Sequence, residues 1–311
     1  NIKGHRTLML IDAHSHWLPD EIITNAHFFH KGWADIEAQL KMMDATGIDL
    51  AVLSYPTTDA HLKLGSISEV AHIYNDNVSK ILKAYPKRFI GAAVLPVDNS
   101  IDMLEELKRV TAQLGFKAIS LASSYNGVYL DDKMFLPIYQ EAQKMNIPIF
   151  VHSQIVNPIG YERVKDPLLT PVVEYIFDTT ISAGKLLMSD ILRQYSKVKF
   201  IFAHFGGAIC YLKQRFDSTY QMLRGMNFVK DLQGLPSDYF KNIYVDTSGD
   251  TTKANFLLAL ELMGPKHILW GSDWPAKQEV SAGIKVVNDL DISQDDKQNI
   301  LGGNLEKIFV L

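Results

Sequence analysis

A single cysteine, Cys210, stands in 311 residues, which excludes an internal disulfide framework. It falls in a predicted helix and reads as a small buried core residue. No apolar run approaches the roughly 20 residues that a membrane-spanning helix needs. Charge of one sign is not in excess: 31 Lys and Arg against 35 Asp and Glu leave a net −4. That balance gives no reason to expect nucleic acid or an anionic membrane as partner. The opening Asn1-Ile2-Lys3-Gly4-His5-Arg6 lacks the apolar core of a signal peptide. With so little cysteine, the expectation is a cytoplasmic protein. No low-complexity linker, composition break or short internal repeat divides the chain, so residues 1–311 read as one domain.

What is present is an alternation of short apolar runs with amphipathic stretches, in a composition that is 47% hydrophobic and 21% charged. The predicted strands are Leu8–Ala13, Leu50–Tyr55, Phe89–Leu95, Lys117–Ala122, Pro148–Val151, Lys199–Ala203, Ile243–Asp246 and Ile268–Gly271. Between them lie helical patterns over Asp35–Thr46, Glu69–Ala84, Ile101–Leu114, Phe135–Lys144, Thr180–Tyr195, Gly207–Met226 and Lys253–Met263. Gly47, Gly115 and Gly264 follow three of these helices, where a left-handed cap is easiest for glycine. Strands alternating with helices call for a parallel sheet with right-handed crossovers. The expected fold is α/β, a (β/α)8 TIM barrel, with a doubly wound open sheet as the alternative. Two connections are long for a barrel: Trp17 to Trp33, with His27 and His30, and Ser153 to Thr180. Loops at the carboxyl ends of barrel strands build active sites, so these two are expected to shape the substrate pocket. One or two helices after Asp273 are expected to close the barrel.

The chemistry gathers at strand ends. In Ile11-Asp12-Ala13-His14-Ser15-His16, the two histidines are two apart in extended chain and can aim both imidazoles at one ion. Later apolar runs end in His152, His204 and Asp273. A lone strand-end histidine is more often a hydrogen-bonded structural residue. Four such strand ends at one barrel mouth make a site. His14, His16, His152 and Asp273 are the predicted metal ligands, a set that suits zinc, and also manganese, iron or cobalt. His204 precedes Phe205-Gly206-Gly207; since four protein ligands suffice, it is assigned to acid–base or substrate-polarising work. Asp273 has a second possible role, taking the proton of a metal-bound water. Asp246 either orients a ligand histidine or caps a helix, the cap being preferred. Asp12 and Ser15 read as turn formers. No lysine ends the fourth strand, so a mononuclear site is favoured.

These residues resemble the amidohydrolase superfamily, and more narrowly its branch related to aminocarboxymuconate semialdehyde decarboxylase. The motifs are Asp12-Ala13-His14-Ser15-His16, Gly115-Phe116-Lys117, Asn126 to Asp132, Phe150-Val151-His152, Ala203-His204-Phe205-Gly206-Gly207 and Gly271-Ser272-Asp273-Trp274-Pro275, in family order over nearly the whole chain. The resemblance implies a (β/α)8 barrel, one divalent metal ion (Zn2+ first, Mn2+ as the alternative) on His14, His16, His152 and Asp273, and catalysis by His204 and Asp273. It also implies a homodimer, with Arg215 either structural or reaching a partner subunit's site.

Two departures bear on the substrate. Some decarboxylases of the branch carry Glu-x-His where this chain has His14-x-His16. The semialdehyde decarboxylase holds its substrate carboxylate with an early arginine, whereas this chain has none between Arg6 and Arg88. His27, His30, Lys31, Arg163 and Lys165 are the candidate replacements. The expected activity is non-oxidative decarboxylation of a small unsaturated or aromatic carboxylic acid. The alternative is hydrolysis of an amide, lactone or related bond by metal-activated water.

Overall fold

The computed structural model describes residues 9–25, 29–55, 64–229, 232–249 and 251–311. Eight parallel strands form one sheet in chain order: β1 (Ile11–His16), β2 (Leu50–Ser54), β3 (Phe89–Val94), β4 (Ala118–Ala122), β5 (Ile149–His152), β6 (Phe200–Phe202), β7 (Ile243–Asp246) and β8 (Ile268–Leu269). Neighbours in sequence are neighbours in the sheet, the outcome of a repeated right-handed crossover. The ends meet where the Ala13 N–H donates to the Trp270 carbonyl at 2.9 Å and the His16 N–H to the Trp274 carbonyl at 2.7 Å. The sheet is a barrel.

Except at Tyr244, each strand is buried along its length because it packs inward and outward at once. Inside, Ile11, Ala13, Val52, Ile90, Phe150 and Ile201 form one cluster. The helix Asn304–Phe309 plugs it with Leu305 and Ile308, and Phe309 stacks on Phe150 at 6.3 Å. Outside, a larger core lies between the strands and the helices. The helix Ile67–Ala84 begins in a capping box, in which the Ser66 hydroxyl accepts from the Glu69 N–H and the Glu69 carboxylate accepts from the Ser66 N–H. Gly47 and Gly115 close their helices in the left-handed conformation.

Three expectations change. The first strand runs to His16 rather than ending at Ala13, because Ser15 and His16 continue to pair with Leu53 and Ser54; Leu8 lies outside the described residues. The connection after β5 is shorter than expected. A π-helical turn, Thr170–Glu174, runs straight into the helix Tyr175–Leu187, so the irregular part is residues 153–169 with one short turn of helix. Val172, Val173 and Phe177 are exposed on that segment, which hid its helical period. Finally, the tail holds three helices, Val280–Asn288, Gln294–Gln298 and Asn304–Phe309, because an open barrel end must be plugged as well as covered.

Candidate metal centre

β1 carries the decisive irregularity. Its register against β2 slips between Asp12 and Ser15. A bulge of this kind re-aims side chains: Ala13 faces the inner cluster, His14 and His16 turn to the barrel mouth, and the Ser15 hydroxyl points outward, donating to the Val52 carbonyl at 2.9 Å. His152, at the end of β5, joins them. The three histidines are buried, with ligand atoms within 4.8 Å of one another. Asp273 completes the group, one carboxylate oxygen 3.6 Å from Nε2 of both His14 and His16. His204 stands beside it, its ring 5.3 Å from that of His14 and 5.5 Å from that of His152. All five predicted residues meet.

The hydrogen bonds behind the rings decide which nitrogens face the mouth. Nδ1 of His16 lies 3.1 Å from the Ser54 carbonyl, that of His152 2.9 Å from the Ser153 carbonyl, and that of His204 3.0 Å from the Ser248 carbonyl. A carbonyl only accepts, so each Nδ1 carries the proton and each Nε2 is left free. His14 Nδ1 donates to Asp246 Oδ2 at 2.8 Å. With His14 neutral, the Nε2 atoms of His14 and His16 are two lone pairs facing each other 3.0 Å apart, a contact that calls for a proton or a metal ion between them. That donor set fits a divalent metal ion, which wants neutral imidazoles oriented by carboxylate or carbonyl partners.

Burial lowers His16 and His152, holding both neutral. Burial also opposes charge on His14, but the Asp246 carboxylate prevails and holds it raised to about 9. Burial would raise Asp273; the adjacent His16 ring and the positive charge of neighbouring histidines, His14 among them, instead hold it well below the usual carboxylate range.

Asp246 is not a helix cap. Besides His14, it accepts through Oδ1 from the His204 N–H at 3.2 Å, the Ser248 N–H at 3.0 Å and the Ser248 hydroxyl at 2.5 Å. The next helix starts only at Lys253. Asp12 is not a free turn former either. Its Oδ1 accepts from the backbone N–H of His14 (3.0 Å) and of Ser272 (2.8 Å), and its Oδ2 from the Ser272 hydroxyl (2.5 Å), bracing β1 against the turn that carries Asp273. Burial pushes the Asp12 carboxyl up to about 6 despite these bonds. Its place just before the histidine pair was the available signal.

Three non-glycine residues at the mouth hold positive φ: His204 (54°), Phe205 (57°) and Asp273 (64°). Such backbone persists only where its surroundings impose it. Gly207 shows the crowding, since a Cβ there would lie 2.4 Å from the Ile176 carbonyl oxygen. Asp178, passed over in the sequence because it falls within the expected loop, accepts from the Ser123 and Ser124 hydroxyls and the Ile159 N–H, tying the β4 and β5 loops to the helix behind them.

A cavity of about 900 Å³ opens over the histidines, walled by Phe29, Trp33, Ile155, Tyr175, Ile176 and Phe205 among others. Trp33 stacks on His16 at 5.3 Å. Of the candidate cations, His30, Lys31, Arg163 and Lys165 are exposed and absent from the described lining, and His27 lies outside the described residues. Among the described residues, the lysine that lines the cavity is Lys277. Arg215 is exposed on the helix Ile209–Gly225, away from the cavity wall.

Known proteins resemble this chain over most of its length. A 2-amino-3-carboxymuconate-6-semialdehyde decarboxylase of Dictyostelium discoideum is 27% identical over 279 residues, 87% of this chain and 75% of its own. A gamma-resorcylate decarboxylase of Polaromonas sp. is 25% identical over 97% of this chain and 98% of its own. The 5-carboxyvanillate decarboxylase of Novosphingobium aromaticivorans, solved with manganese and 4-hydroxy-3-methoxy-5-nitrobenzoic acid, superposes with a TM-score of 0.86 at 23% identity, covering 99% of this chain and 97% of that one. The amidohydrolase family model matches residues 11–311, from the first residue of β1 through the helix that plugs the barrel, and the chain belongs to that family.

Proposed function

We propose that this protein is a metal-dependent decarboxylase of aromatic carboxylic acids. The observation that carries the reading is the pairing of three free Nε2 atoms and Asp273 with a cavity whose walls are largely aromatic and aliphatic. Such a site takes a planar ring and offers its polar groups at one end. His14, His16, His152 and Asp273 would hold one divalent ion; zinc suits the donor set, and manganese is the ion named with the Novosphingobium relative. When bound, it supplies a fixed positive charge for the substrate's carboxylate and an adjacent oxygen.

The chain's own groups account for the rest. Phe29 and Trp33 flank the ring and exclude water. Asp273 and the free Nε2 of His204, whose ring is held by Ser248, relay a proton taken up from water to the ring carbon bearing the carboxylate. The bond from that carbon to the carboxylate then breaks, its electron pair returns to the ring, and carbon dioxide leaves. Lys277 is assigned to a second polar substituent of the substrate. Exposed apolar residues on and near the cavity rim, among them Val172, Phe177 and Tyr211, support a homodimer, which light scattering would register as twice the chain mass.

Metal-loaded protein should release carbon dioxide from one or more members of a hydroxybenzoate panel. Turnover of amides or lactones without gas release would instead favour hydrolysis by the same residues.

A further inference from the structure

The cavity is larger than a single substituted ring requires. Its volume of about 900 Å³ is roughly six times the ~150 Å³ that suffices to bind benzene. The surplus has a definite chemistry. Three helices, Tyr175–Leu187, Ile209–Gly225 and Lys253–Met263, pack side by side and contribute Ile176, Cys210, Leu258 and Ala259 to one wall. Ile155 and Tyr175 continue it, and the Tyr175 hydroxyl donates to the Ile155 carbonyl at 3.1 Å, so this residue presents mainly its ring to the cavity. Ala208 lines the cavity as well.

On the reading of the site as an aromatic-acid decarboxylase, we infer that its substrate carries an extended apolar substituent, a chain of several carbons on the ring, seated in the wing formed by Ile155, Tyr175, Ile176, Cys210, Leu258 and Ala259. A polar or charged substituent there would exchange water for carbon and lose affinity.

The test is a series of 2-hydroxybenzoates with unbranched 6-alkyl chains from hydrogen to heptyl. Each is followed by calorimetric binding to the metal-loaded protein and by carbon dioxide release. Affinity should rise by up to about fourfold per methylene until the wing is full, with a heat-capacity change that becomes more negative as the chain lengthens. The Leu258→Asp protein should lose most of that slope. Leu258 is 38% exposed, so the variant keeps its fold, as circular dichroism would verify. Affinity that is flat or falling with chain length in the unmutated protein overturns the inference. Binding that rises without any gas release leaves the wing standing and rejects decarboxylation. Gas release with no dependence on chain length does the reverse.

Discussion

Replacing Asp246 by Asn changes one atom and should disable a metal ligand that it never touches. In the native site, Oδ1 of Asp246 accepts from three donors, the N–H groups of His204 and Ser248 and the Ser248 hydroxyl, while Oδ2, among the described residues, accepts from His14 Nδ1 alone. Asparagine has one oxygen to offer. Three donors outweigh one, so the amide oxygen takes the Oδ1 position and the NH2 group faces His14. Nδ1 must then accept, the proton moves to Nε2, and the nitrogen that faces His16 and Asp273 can no longer ligate. Partners that orient a ligand histidine are worth about ten- to a hundredfold in metal affinity, or about 1.4 to 2.8 kcal/mol; a wrong tautomer belongs at the upper end. Competition with a chromophoric chelator at neutral pH measures the loss directly. Ser248→Ala, which removes one of the three donors, should fall in between. If Asp246→Asn binds zinc and manganese within about threefold of the unmutated protein and only its melting temperature moves, Asp246 is a structural residue and the tautomer argument is wrong.

Other outcomes follow from the same geometry. His16→Ala should lose the single equivalent of metal found by elemental analysis, whereas His204→Asn should keep it and lower turnover by roughly a hundredfold or more; loss of metal in the second variant would make His204 a ligand. Gly207→Ala meets the Ile176 carbonyl at 2.4 Å with φ at +68°, so thermal unfolding should show a destabilisation above about 1 kcal/mol. Burial pushes the Cys210 thiol up to about 11. Because that value is raised, the neutral thiol dominates well past neutrality, and alkylation at pH 7.5 should be slow and accelerate only as pH approaches 11; rapid labelling at pH 7.5 would contradict its burial.

Much of the molecule is legible in the chain, because strands and helices impose local periods. All eight strands fall within a few residues of their expected places, and the helix Lys253–Met263 has the expected ends. The five site residues stand at strand ends, where parallel strands in a barrel all deliver their side chains to one mouth. The structure moved the features that depend on partners distant in sequence. His16 belongs to β1 only because Ser54 pairs with it. The helix at Tyr175 was hidden by the exposed Val172, Val173 and Phe177.

Sequence by itself determined the barrel and the gathering of His14, His16, His152, His204 and Asp273, since both rest on residue type and short-range spacing. Tertiary structure decided what stands behind those residues and above them. Asp246 orients His14 across 232 residues, and Asp12 meets Ser272 across 260. Lys277 rather than Arg163 lines the cavity, and the apolar wing comes from three separate helices. Pairwise contacts between distant segments leave no period to read, because a carboxylate in the chain carries the same letter whether it caps a helix or holds a histidine.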